Sequence, residues 1–186
     1  MNIDDYNLVL EKMRLRNGVL FPIPITLDVN EKFSQTLALG EQIILRNKEG
    51  FKISVMTIES IWKPDLQKEA ITVYNTNDST HPAANYLLHS SNKMYIGGKI
   101  ESITMPFHYD FKKYRMCPKE VKNKIEKMGW NKVIAFQTRN PLHRAHVEMT
   151  LRSMDELDAK LLLHPVVGLS KVGDIDHYTR VRCYEH

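Results

Sequence analysis

From about residue 111 the chain alternates helix, strand, helix, strand, helix, and no other feature constrains its fold as strongly. Pro118 opens a helical stretch over 119–128 that closes at Gly129, the N-terminal-Pro, C-terminal-Gly order of a well-bounded helix. A short apolar strand follows over 132–136, a loop over 137–142, and a helix over 143–157 with Met149 and Leu157 among its apolar positions. A second apolar strand spans 159–167, a loop holds Gly168 and Gly173, and a last helix starts near Asp176 or His177 and runs to His186. Strands separated by crossover helices pair in parallel. Two parallel strands do not make an α/β sheet covered on both faces. The expectation is an incomplete α/β domain whose apolar strand faces favour self-association or instability.

The first 110 residues follow a different pattern. A short amphipathic helix with Asp4 or Asp5 as cap places Tyr6, Val9 and Met13 on one face. The segment 19–29 contains Pro22 and Pro24, which demote it to an edge or irregular strand. Strands over 42–46 and 51–61 flank Asn47-Lys48-Glu49-Gly50, a hairpin turn with glycine supplying the positive φ. Pro64 stops the second strand, a short helix fits 65–74, and a further strand containing Gly97-Gly98 fits 94–103. The pattern is that of a small, strongly curved β unit.

Charge is divided along the same line. Residues 1–110 carry 11 Lys/Arg against 13 Asp/Glu, whereas residues 111–186 carry 15 against 9 and five of the eight histidines. Positive charge confined to one segment points to an anion bound there, not to a uniformly basic nucleic-acid surface. Two cysteines, Cys117 and Cys183, are too few for a disulfide framework or a four-cysteine zinc site. The N-terminus is acidic where a signal peptide is basic and then apolar, and no apolar run approaches the roughly 18 residues of a membrane span. A cytoplasmic protein without membrane or nucleic-acid partners is the expectation.

The informative stretch is Gln137-Thr138-Arg139-Asn140-Pro141-Leu142-His143-Arg144-Ala145-His146. It joins the C-terminal end of a strand to a helix start, the place where open α/β sheets bind ligands and where free N–H groups and the helix dipole favour anions. His143 and His146, at i and i+3, project from one side of the first turn. Asn140 before Pro141 fits a capping or turn position. Between Glu126 and Glu148 there is no Asp or Glu. A site that deprotonates a nucleophile keeps a base at hand; a site that gathers anions needs donors and cations with carboxylates kept away. This loop fits the second description. A zinc site is not indicated, because the His-Glu-x-x-His pattern is absent.

Lys171, Asp174, Asp176, His177 and Arg180 form a second polar cluster, which a solvated loop with Asp176 as helix cap explains as well as a functional role does. Cys117 and Cys183 read as buried or inert thiols, and Trp62, Trp130 and the tyrosines as core or interface residues.

Residues 137–146 resemble the Gln-x-Arg-Asn-Pro-x-His-x-x-His signature of the ATP sulfurylase (sulfate adenylyltransferase) family. The resemblance extends through 20–28 (Leu-Phe-Pro-Ile-Pro-Ile-Thr-Leu-Asp), 95–100 (Tyr-Ile-Gly-Gly-Lys-Ile), 106–111, 129–133 and 164–177, with Val172 where a proline is common. It implies a PUA-like β-barrel domain over 1–111, its opening strands absent, followed over 112–186 by the first part of a Rossmann-like nucleotidylyltransferase α/β domain. It implies the reaction of sulfate with MgATP to give adenosine 5′-phosphosulfate and pyrophosphate, Mg²⁺ arriving on the nucleotide. By resemblance Gln137 and Arg139 hold sulfate. Gln137, Thr138, Arg139, Asn140, His143 and His146 contact ATP, and Thr138, Arg139, Asn140, His143 and His146 carry the catalysis. A later Gly-Arg-Asp-His-type loop of the family has no match here, so the chain reads as a fragment, half of a split enzyme with a separate C-terminal half, or an inactive or regulatory remnant. The resemblance implies a homo-oligomer for the full-length enzyme.

Two other readings differ in what they require. Another nucleotidylyltransferase would keep the His-x-x-His helix start, but the Gln137/Arg139 pair suits a small tetrahedral oxyanion. An RNA-binding module would need a basic β unit, and residues 1–110 are net acidic.

Overall fold

The computed structural model describes residues 1–101, 104–105, 107–168 and 173–186. The chain forms two compact units, Met1–Phe107 and His108–His186.

The first unit is built on a curled four-stranded antiparallel sheet in the order β1-β4-β3-β2, a half-barrel, with strands β1 (Leu27–Val29), β2 (Gln42–Arg46), β3 (Lys52–Trp62) and β4 (Met94–Glu101). β1 is a short edge strand, as the prolines ahead of it require. β2 and β3 form the expected hairpin: Gly50 has φ +88°, and Asn47 accepts the Phe51 N–H through its side chain at 2.8 Å. Ser54, Met56, Ile58, Ser60 and Trp62 are buried along β3, the two-residue period of a strand with one covered face. Irregular register at Leu45/Arg46 and between Ile58 and Ser60 marks bulges that sharpen the curl. Gly97 and Gly98 are close-approach positions: a Cβ would run into the Met1 carbonyl oxygen at the first and the Thr57 carbonyl oxygen at the second. The last residues of the strand expected over 94–103, Ser102 and Ile103, lie outside the described residues.

Helix α1 (Ile3–Lys12) is capped by Asn2, not by Asp4 or Asp5: the Asn2 side chain accepts the Asp5 N–H. Tyr6, Val9 and Leu10 are buried, while Met13 sits past the helix end at φ 52° and is exposed. The short helix expected over 65–74 is α3 (Leu66–Tyr74), and Asp65 caps it, its side chain accepting the Lys68 N–H at 3.0 Å. The short helices α2 (Glu31–Ser34) and α4 (Pro82–Asn85), the latter running into a π-helical turn at Tyr86–Ser90, have too few turns to show a helical period in sequence.

Tyr6, Leu10, Trp62 and Tyr95 form one core cluster; Met56, Ile58 and Ile96 form the other. In the first, Tyr6 and Tyr95 both donate to the buried Glu69 carboxylate, at 2.8 and 3.1 Å. Burial outweighs those two bonds and raises the Glu69 pKa; burial and the neighbouring carboxylate push both phenols up.

The second unit has α5 (Pro118–Lys127), β5 (Val133–Thr138), α6 (Arg144–Leu157), β6 (Lys160–Pro165) and α7 (His177–Glu185). β5 and β6 pair in parallel from Val133↔Lys160 to Thr138↔Pro165, the first part of a Rossmann-like sheet. β5 continues through Gln137 and Thr138, which the sequence reading placed in a loop. The strands are half-buried, and Met149 and Leu157 of α6 lie outside the core, because two strands give a helix of this length too little sheet to cover. Among the described residues no helix is long and apolar enough to cross a membrane.

Candidate active site

The site grows from the end of β5. Pleating puts Gln137 on the exposed face and Thr138 on the buried one. The Thr138 hydroxyl accepts the Asn140 N–H at 3.1 Å and donates to the Asn140 carbonyl at 3.0 Å, folding the chain into a tight turn ahead of Pro141. Val166 N–H donates to the Thr138 carbonyl at 2.8 Å, extending the parallel ladder one step past β6.

His143, not Asn140, caps α6: its Nδ1 accepts the Ala145 N–H at 3.2 Å, which leaves the ring proton of the neutral form on Nε2. One turn on, the His146 ring stacks on His143 with centroids 3.8 Å apart and meets Phe136 of β5 at 5.4 Å. The i, i+3 spacing therefore brings the two imidazoles together at the positive end of a 14-residue helix. His146 Nδ1 is buried without a partner among the described residues. At the far end of α6, Lys132 donates to the Leu157 carbonyl at 3.1 Å, a cation at the negative pole.

Four contacts lie beyond the reach of the sequence reading. Arg139 forms an ion pair with Asp174 at 2.7 Å, so the site is not free of carboxylates; the acidic residue arrives from 35 positions along the chain. Arg180, 2 % exposed, donates from one guanidinium nitrogen to the carbonyls of Arg139 (2.6 Å) and Val166 (2.8 Å). Tyr184 donates to the Asn140 carbonyl at 2.6 Å, and burial raises its pKa. Of the second polar cluster, Asp176 caps α7 as expected, Asp174 and Arg180 join the site, and Lys171 lies outside the described residues. His177 contacts Asp110 at 2.8 Å; that contact, with Arg115 on the other carboxylate oxygen, holds Asp110 below the usual carboxylate range. The spacing of Arg180 and Tyr184, four residues apart on one helix face, was the available signal. Of the two thiols, Cys117 is half-buried and Cys183 is exposed.

Chemically, the arrangement offers side-chain donors and a fixed loop at a helix N-terminus. Among the described residues no three His, Cys, Asp or Glu side chains group to hold a metal ion.

Comparison with known proteins agrees with this architecture. Residues 1–105 match the model of the PUA-like domain family and residues 112–186 that of ATP-sulfurylase. The chain is 45 % identical over 187 residues to a sulfate adenylyltransferase of Schizosaccharomyces pombe, covering all of this chain and 38 % of that protein. It is 48 % identical over 188 residues to the sulfate adenylyltransferase of Coccidioides immitis, covering 33 % of it. Among solved structures, a hexameric APS kinase from Thiobacillus denitrificans matches the whole chain with a TM-score of 0.74 at 28 % identity, over 32 % of its own length. The chain spans about a third of the length of these relatives. A curled PUA-like half-barrel, a parallel β5–β6 pair and a signature carried on the turn between them make this chain a member of the ATP-sulfurylase family.

Proposed function

We propose that the chain supplies the ATP- and sulfate-binding part of a sulfate adenylyltransferase, with a PUA-like domain over 1–111 and catalytic-domain residues over 112–186. The observation that carries the reading is the turn from β5 to α6, where Gln137, Arg139 and Asn140 precede a stacked histidine pair at a helix N-terminus. In this reading Gln137 and Arg139 hold sulfate, Asn140 and the backbone about Thr138 contact the nucleotide, and His143 and His146 face its phosphates. A sulfate oxygen attacks the α-phosphorus of MgATP, the new S–O–P bridge forms, and the bond to the leaving pyrophosphate breaks. Sulfate is already a dianion, so no proton has to be removed. The task is to gather anions and to stabilise charge on the leaving group. Donors aimed at developing charge are worth about 10² to 10³ in rate each. Asp174 serves as the orienting partner of Arg139, not as a base. The same reading makes the protein cytoplasmic and homo-oligomeric, with ATP, sulfate and pyrophosphate as its ligands.

The test is sulfate-dependent pyrophosphate release. The 186-residue chain alone is expected to turn over negligibly, because groups that act as a unit lose far more than their share when separated. With the remaining length of a relative supplied as a second chain, release should become sulfate-dependent, and Arg139→Ala should abolish it. Release that ignores sulfate and follows another acceptor would assign a different nucleotidylyltransfer.

A further inference from the structure

We infer that Arg180 and Tyr184 are positioning residues that lock the backbone of the ligand loop from behind; the inference rests on the reading of 137–146 as a nucleotide and sulfate site. Two peptide planes follow β5. The first, between Arg139 and Asn140, gives its N–H to the Thr138 hydroxyl and takes a donor from Arg180 on its carbonyl. The second, between Asn140 and Pro141, has no N–H, and its carbonyl accepts from both Tyr184 and Thr138. Every polar group of both planes is therefore committed, and neither can rotate without breaking a hydrogen bond. Arg180 also takes the Val166 carbonyl, so one nitrogen ties together the C-terminal ends of both parallel strands.

Burial makes this arrangement specific. Arg180 is 2 % exposed, and among the described residues its Nε has no partner and no carboxylate forms an ion pair with it. A buried cation whose partners among the described residues are carbonyl oxygens costs desolvation and meets partial charges in place of a full negative charge. Placed behind a loop that collects anions, that charge contributes where it lies, and the planar guanidinium reaches two carbonyls that a lysine ammonium on one flexible stem does not hold in the same fixed geometry.

The experiment uses the 186-residue chain and Tyr184→Phe, Arg180→Lys and Arg180→Gln, with pyrophosphate as the probe. Three quantities are read: hydrogen exchange at the Asn140 amide by NMR, the thermal midpoint, and pyrophosphate affinity by calorimetry. Tyr184→Phe should leave the midpoint within a few degrees, speed Asn140 exchange, and weaken pyrophosphate about fivefold, the worth of one ordinary hydrogen bond. Arg180→Lys, which keeps charge but not geometry, should fall between wild type and Arg180→Gln in affinity. Wild-type exchange and affinity in Tyr184→Phe and Arg180→Lys would overturn the inference. So would faster exchange with unchanged affinity, which would make the contacts structural only. If Arg180→Gln fails to fold, Tyr184→Phe still decides. If the wild-type chain itself ignores pyrophosphate, the functional reading fails, and Asn140 exchange alone decides whether the lock exists.

Discussion

The imidazole of His143 lies against that of His146, centroids 3.8 Å apart and planes 28° from parallel, at the first turn of α6. His143 has two jobs in this position, since its Nδ1 also accepts the Ala145 N–H and closes the helix end. The jobs separate by substitution. His143→Asn keeps an N-cap acceptor and removes the ring, so stability should hold while MgATP affinity falls. His143→Ala should lose both, with about 1 kcal/mol of stability gone with the cap. Urea unfolding and nucleotide titration of the two variants check this. Equal destabilisation by both would remove the capping role.

Arg139 and Asp174 form the second pair. A carboxylate holds a guanidinium through charge-assisted hydrogen bonds about twice as strong as neutral ones. Asp174→Asn should leave Arg139 less well oriented and raise the sulfate KM, by about tenfold for roughly 1.4 kcal/mol of lost positioning. The ATP KM should change much less. Steady-state kinetics on the complemented enzyme measure both. A rise confined to the ATP KM would contradict the assignment of Arg139 to sulfate.

Much of the fold is legible in the sequence, for physical reasons that can be named. The β5–α6–β6 order follows from hydrophobic runs separated by a helical period, and the β2–β3 hairpin from Asn47 to Gly50. What was not readable depends on distance along the chain. Asp174 reaches Arg139 across 35 residues and Arg180 reaches the Arg139 carbonyl across 41, and neither spacing leaves a local mark. The extension of β5 through Gln137 and Thr138 was missed because two polar residues at a strand end look like loop. The cap at Asn2 was missed because the aspartates beside it are equally good acceptors by type.

Glu69 sets a pH dependence in the first unit. Its folded pKa is raised by burial, so the protonated form is the one folding favours. The sign follows from linkage: the contribution is fully present below the unfolded carboxylate pKa and is lost as pH rises through the folded value. Thermal unfolding followed by Trp62 fluorescence should show a midpoint that falls as pH rises above the ordinary carboxylate range. Glu69→Gln should flatten that slope. A slope unchanged in Glu69→Gln would assign it to other groups.

Gly98→Ala tests the curl of the sheet. The added methyl would meet the Thr57 carbonyl, a backbone atom of the partner strand with no side-chain freedom to move aside. The expected cost is at least about 1–3 kcal/mol, read as a lower urea midpoint. An unchanged midpoint would mean that β3 and β4 separate here without penalty.

The central claim, that the turn between β5 and α6 is an ATP and sulfate site, is tested most directly by mapping where nucleotide binds. The measurement is a titration of the isotopically labelled 186-residue chain with MgATP, followed by amide NMR, in wild type and in Arg139→Ala with His143→Asn. The predicted result is saturable shifts concentrated over residues 137–146 and in α7 about Arg180, lost in the double variant. Saturable shifts centred elsewhere, or shifts over 137–146 that persist in the double variant, would contradict it.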